Sequence, residues 1–596
     1  MMGKQTTLEI RRVIEYSSFF VEEAPIDISA TLKTYSRNTL VRMAAILSLH
    51  YGNMSWPDHK NTLFSDSSKK HIPYLNKLFK DYYNRAGIAP GQKVEVLTYR
   101  TSLELWRQIF AIHNEEFSDE VEEEDIELNL FKVALAINEK IVSFTEKEDN
   151  YKLDELIFLN GFLTNDSNNY DLKNVLQPQL YYFHQLTSFI PSNEVLTSVT
   201  QTLFNEWGIN SWQKYYTTLF IIASETDGYI KRKDNGVPII SPIWIENNSK
   251  FISASLLEHL FIDEDEFIPF YEEDASPKEL NVDYRRFRSK PLVKLKDGTG
   301  YVVINNQLIC ERLYNSLYFD FVPLINKLKK GFEPFDYNKD FVEKFLFRNT
   351  FFKCLPSDCY TFPSRGNNLI QEKAKEPDFY VRTQRDELII AECKAIKMNG
   401  ECRDDGDYSR LLDELHEKIV RKTRNLDSSR KEHKGASEPM GLGQLLQHID
   451  SIEANSFEWD NNIPNQVVYY PLLVFEDIKL LQRGILSLVN RWFYEDMRNE
   501  WKELNVKDIS CMPVMVVSIN TLYLYDSLLH KRGFTNVIDT FVKKNAVYDK
   551  NTGEYKIYEL ADFDQFLRVN TFNKRSDMLK WQKKLMIGLE EESSVS

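Results

Sequence analysis

Cysteine is scarce in this chain. Six thiols among 596 residues, with no repeated CxxC spacing, are too few and too scattered for a disulfide framework or a zinc site. Cys354 and Cys359 form the nearest pair, but no second Cys or His pair stands at finger-like spacing, so all six are read as reduced. Long apolar runs are missing too. A membrane helix needs about 18 consecutive apolar residues, whereas the longest runs here, 469–475 and 511–518, are strand-length. A membrane partner is therefore not expected. The opening residues carry no apolar segment and no small-residue cleavage site, which argues against export and for a cytoplasmic location. There is no basic excess either. The formal net charge of −15 speaks against a protein that coats nucleic acid over its whole surface, while leaving room for a local basic groove.

Several chemistries are excluded by missing motifs. There is no GxxxxGK[ST] phosphate loop, no HExxH zinc helix and no GxSxG nucleophile elbow. Gly298-Thr299-Gly300 reads as a hairpin turn rather than a dinucleotide loop, because no helix opens there. The histidines are dispersed, and each reads as a core or surface residue.

What is present is the balance of a globular protein, 42% hydrophobic and 27% charged, in a chain too long for a single core. From about Thr31 to Leu260 apolar residues recur at helical spacing, as in Leu40, Met43, Ala44 and Leu47, or Leu130, Val133, Ala134 and Ile137. This predicts an all-α domain over 1–275, whose acidic stretch 119–127 caps and solvates a helix. A linker with a basic cluster at 285–290 follows, then alternating segments on either side of Asp297-Gly298, a hairpin signal, and a helix over 307–319. These make a small hairpin and helix module over 276–333. Beyond it, 334–596 alternates helices with short apolar strands near 359–362, 379–381, 388–393, 467–475 and 512–517. This predicts an α/β domain with Asp340 capping its first helix and a basic amphipathic helix over 574–589.

Charges in this last domain stand in unusual places. Glu376-Pro377-Asp378-Phe379-Tyr380-Val381 leads through a polar turn, Gln384-Arg385-Asp386, into Leu388-Ile389-Ile390-Ala391-Glu392-Cys393-Lys394. Glu392 and Lys394 lie two apart at the end of an apolar strand and so point to one face, and pairing brings Asp378 beside them. Two carboxylates and an ammonium are what phosphodiester hydrolysis uses. Hard divalent magnesium takes oxygen ligands, polarises the phosphate and acidifies a bound water, while the lysine orients that water or offsets charge. The bland alternative is a strand-start acid beside an edge-strand ion pair.

Asp378 followed by Glu392-x-Lys394 after an apolar strand resembles the signature of the PD-(D/E)xK nuclease superfamily, the restriction-endonuclease-like fold. The resemblance implies a mixed central sheet. It also implies magnesium or manganese held by Asp378, Glu392, the Cys393 carbonyl and Glu343 from a preceding helix, and a helical glutamine facing the site, Gln444 ahead of Gln447. It further implies hydrolysis of nucleic acid, DNA ahead of RNA. Basic residues suited to a DNA groove are Arg365, Lys418, Arg421, Lys422, Arg424, Arg430 and Lys431, with 285–290 a further cluster. A helical region fused to such a nuclease resembles bacterial restriction or antiphage defence effectors, which implies target recognition, a homo-oligomer or a partner defence protein. The rival from another class is a non-catalytic scaffold that binds nucleic acid or protein.

Overall fold

The computed structural model describes residues 12–49, 63–65, 67–88, 94–118, 125–143, 151–164, 172–232, 236–269, 284–328, 335–355, 360–361, 376–399, 408–423, 437–460, 462–500 and 509–570. The protein is multidomain, combining helical and α/β architecture in two compact units. One is drawn from Met1–Lys147 and Leu163–Phe332, the other from Glu148–Phe162 and Glu333–Lys584. The hairpin and helix stretch read as a separate module thus packs within the first unit. Glu148–Phe162, read as part of the N-terminal domain, belongs to the second unit, where Asp154 and Glu155 receive Arg491 at 3.1 and 2.7 Å. Among the described residues no helix is long and apolar enough to cross a membrane.

The first unit is mainly helical, and an apolar core in it draws on residues from Ile14 to Leu308. Phe19 packs on Phe79 at 4.7 Å and on Phe131 at 5.8 Å, tying three helices by edge-to-face contacts. The unit is not all-α, however. Strands β1 (Ile239–Ile240), β2 (Phe261–Asp263), β3 (Leu292–Lys294) and β4 (Tyr301–Val303) form a sheet in the order β1-β4-β3-β2. Ile239 and Ile240 lie between Pro238 and Pro242, which cannot continue a helix, and β-branched side chains favour the extended form. The β3–β4 hairpin turns at Asp297-Gly298, as its sequence predicts. Gly300 holds a φ of 137° where an added Cβ would lie 2.2 Å from the Ile240 carbonyl, so no other residue fits. The helix predicted over 307–319 is two helices, Asn306–Arg312 and Leu317–Leu328.

The second unit is built on a five-stranded mixed sheet. Its strands β5 (Tyr360–Thr361), β6 (Phe379–Arg382), β7 (Glu387–Lys394), β8 (Val468–Phe475) and β9 (Met515–Ser518) lie side by side in chain order. β7, β8 and β9 run parallel, and β6 is antiparallel to both its neighbours. Leu388 to Ala391 and Tyr469 to Phe475 are buried residue after residue, as expected of parallel strands covered on both faces. In the turn between β6 and β7, Asp386 takes a left-handed φ of 56°, tolerable for a short polar side chain. The Thr383 hydroxyl there accepts the N–H groups of Arg385 and Glu387.

Ahead of the sheet lies α1 (Tyr337–Phe347), wound as a π-helix and continued by the short helix Arg348–Phe352. Its cap is Asp336 rather than the predicted Asp340. Asp336 accepts the Lys339 N–H at 3.0 Å, and Asp340 reaches back to the Asp336 N–H at 2.9 Å. Phe347 and Phe351 then pack edge-on against Phe379, at 6.1 and 4.8 Å, fixing the helix beside the first residue of β6.

Candidate active site

The ladder between β6 and β7 ends at Phe379↔Ala391. One step further, Asp378 stands opposite Glu392, and residues opposite each other in an antiparallel pair share a face. Asp378 Oδ2 accepts the Cys393 N–H at 2.8 Å, and the Arg348 Nε donates to the Asp378 carbonyl at 3.2 Å. Lys394 lies two residues beyond Glu392 and on the same face. Its Nζ donates to Glu392 Oε2 at 3.0 Å and stands 3.7 Å from Asp378 Oδ2. One ammonium therefore bridges two carboxylates drawn from neighbouring strands.

The opposite side of the cluster is closed by α2 (Gly441–Glu453), which follows a small hairpin of Arg421–Thr423 with Ser437–Pro439. Two glycines bring this helix close. A Cβ on Gly441 would lie 2.8 Å from Leu473 Cδ1 and 3.5 Å from Lys394 Cγ, and one on Gly443 would lie 2.7 Å from the Val420 carbonyl oxygen. Alanine in a helix interior is favoured over glycine by up to about 1 kcal/mol, but overpacking against backbone costs about 1–3 kcal/mol. Gly443→Ala is therefore expected to lower stability, seen as an earlier urea midpoint with an unchanged slope. A rise in the midpoint would contradict the close approach of α2.

That approach delivers His448. The side chain is buried, and its Nε2 lies 3.1 Å from Glu392 Oε1. Sequence reading passed over this residue, because its partner lies 56 positions earlier. The one signal was its place on the helix, four residues after Gln444. Gln444 itself packs with its Oε1 enclosed and lacking a hydrogen-bond partner, and its side chain bonds none of the three central groups among the described residues. Gln447 is exposed. A second ion pair, on a buried acid, was also missed. Glu476 follows the end of β8, gives its N–H to the Lys394 carbonyl at 3.4 Å, and pairs with Lys397 at 2.8 Å.

Charge sorts these groups. Burial would raise the Glu392 carboxyl, but Lys394 and the His448 hydrogen bond outweigh it and bring Glu392 down to about 2. Asp378 goes the other way, pushed well above the ordinary carboxylate range by burial and then by the Glu392 charge, against the pull of Lys394. Burial also lifts Glu343, on α1, to about 6, with Lys394 opposing and Glu392 adding to the rise. Burial works against the Lys394 ammonium, yet the three acids hold its pKa above the ordinary lysine value. Burial pushes the Cys393 thiol up, so it stays protonated, and only its main-chain carbonyl is suited to a hard cation.

The basic residues singled out for a DNA groove divide. Lys418 is held by Glu414 and the Lys397 carbonyl, and Arg421 is paired with Asp496 through two hydrogen bonds of 2.9 and 3.2 Å. Lys422 is exposed on the small hairpin, opposite Glu438. Arg365, Arg424, Arg430 and Lys431, and the basic stretch 574–589, lie outside the described residues. In the 285–290 cluster, Arg286 pairs with Glu266 and Arg288 with Glu311. Cys354 is a buried thiol whose sulfur contacts the Thr350 and Leu522 carbonyls, while Cys359 lies outside the described residues.

Among the described residues, no group of three or more His, Cys, Asp or Glu side chains stands ready at metal-ligand geometry. At the cluster, the Lys394 ammonium stands 3.0 Å from Glu392 and 3.7 Å from Asp378. No protein-family model matches this chain, and neither a curated protein nor a solved structure shows similarity to it.

Proposed function

We propose that the second unit is a metal-dependent phosphodiesterase that hydrolyses nucleic acid, DNA in preference to RNA, with Asp378, Glu392 and Lys394 at its centre. One observation carries this reading: an ammonium bridges carboxylates from two adjacent strands, at 3.0 and 3.7 Å. Burial raises Asp378 and Glu343, and the Glu392 charge adds to the rise in both, against the pull of Lys394. That donor set suits magnesium or manganese, both of which prefer oxygen ligands.

Asp378 and Glu392 would hold the cation, with Glu343 and the Cys393 carbonyl as further oxygen donors. When bound, such a cation polarises the scissile phosphate and lowers the pKa of a coordinated water. Lys394 keeps its proton, so it orients the attacking water or offsets phosphate charge rather than acting as a base. The Cys393 N–H fixes the Asp378 carboxylate, and Arg348 fixes the backbone behind it. A role in bacterial restriction or antiphage defence, with the first unit serving recognition, oligomerisation or restraint, is an extension that rests on the resemblance alone.

The rival scaffold reading draws on the fact that both Glu392 oxygens already have partners within the chain. Incubating the protein with plasmid, linear DNA and RNA in magnesium, manganese or chelator separates the two. Chelator-sensitive cutting of DNA is expected. Binding without cutting in every condition would favour the scaffold.

A further inference from the structure

We propose that His448 is a positioning residue that commits one oxygen of Glu392 to the protein, so that a cation meets only the other, and that this favours magnesium or manganese over calcium. The inference rests on the metal-dependent reading above and adds a determinant of cation choice to it.

An ionised carboxylate can only accept hydrogen bonds, so the proton in the 3.1 Å contact belongs to His448 Nε2. Both side chains are closed to solvent, His448 at 4% and Glu392 at 1% exposure, so water does not replace the bond. The imidazole is braced by the Phe457 ring, edge-on at 6.4 Å, and by the helix that Gly441 and Gly443 let approach. Glu392 Oε1 is thereby tied to α2. Oε2 is the oxygen shared with Lys394, on the side where Asp378 lies. A cation that takes the place of the ammonium meets Oε2 without any rotation of the carboxylate.

One available oxygen discriminates between hard cations. Magnesium and manganese take six ligands at short distance and use carboxylates singly, whereas calcium takes about 6–8 and often grips a carboxylate through both oxygens. With Oε1 held by His448, two-oxygen binding at Glu392 is blocked. With Oε1 released, calcium gains a ligand and the manganese geometry loses its support.

The test uses the full chain, manganese titrated by electron paramagnetic resonance, and calcium as competitor. His448→Leu keeps bulk but removes the donor, while His448→Gln keeps a donor. His448→Leu is expected to weaken manganese binding by about 10–100-fold and to shrink the preference over calcium about tenfold, with His448→Gln within about threefold of wild type. A folded His448→Leu protein with unaltered manganese and calcium affinities would overturn the proposal. Should that variant fail to fold, imidazole 15N shifts of the wild type decide instead: a protonated Nε2 is required, and a protonated Nδ1 alone refutes it. A wild-type protein that binds no manganese overturns the metal-dependent reading and this inference with it. Wild-type binding with an indifferent His448→Leu overturns this inference only.

Discussion

Lys394→Met is expected to lower metal-dependent cleavage of plasmid DNA by roughly 10²–10³-fold, the range lost when one positioned electrostatic donor is removed. Methionine keeps the apolar stem that lies against Gly441, so the packing of α2 is preserved while the ammonium goes. Stability should respond as well. Glu392 is left buried with one partner, and breaking a buried ion pair from one side costs about 3–5 kcal/mol. Added magnesium should restore much of that stability, since a cation replaces the missing charge, but not the rate. Initial rates and melting curves, each with and without magnesium, separate the two effects. A variant that cuts at the wild-type rate would remove Lys394 from the chemistry.

The second large effect has the opposite sign on stability. The fold holds the Glu343 carboxyl near 6 against an ordinary value of 4.5. Between these values the folded state keeps a proton that the unfolded chain has lost. Its contribution to stability is therefore complete below about pH 4.5 and is lost as the pH rises through about 6. Glu343→Gln removes the penalty. The metal-free variant is expected to exceed wild type by about 1–2 kcal/mol at pH 8, reduced where water screens the site, and to match it at pH 4.5. Magnesium should cancel the gain, because the cation stabilises the carboxylate that glutamine lacks. Urea unfolding at the two pH values, with and without magnesium, reads all four quantities. A destabilised variant at pH 8 would show that the fold does not raise the Glu343 carboxyl.

Both expectations depend on features that differ in how openly the sequence displays them. The apolar run of Leu388 to Ala391 is legible because β7 is covered on both faces, and the polar turn before it fixes the pairing that brings Asp378 opposite Glu392. The β3–β4 hairpin is equally plain, since Asp297-Gly298 states its own turn geometry. Competition between near-equal local signals is harder to read. Asp336 and Asp340 stand four apart, each able to cap, and no local pattern announces the π-winding of α1 or its packing on Phe379. Hardest are partnerships across long stretches of chain. Arg421 looks like a free cation until Asp496, 75 residues later, takes its guanidinium. His448 looks like any core histidine until Glu392 is set beside it. Ile239 and Ile240 make so short a strand that only the sheet they join reveals it.

The most direct measurement is an anomalous difference map of crystals soaked in manganese. The account requires a peak between the carboxylates of Asp378 and Glu392, with the Lys394 ammonium displaced from its bridging position. Manganese bound only at other acids, with Lys394 still joining the two carboxylates, would contradict it.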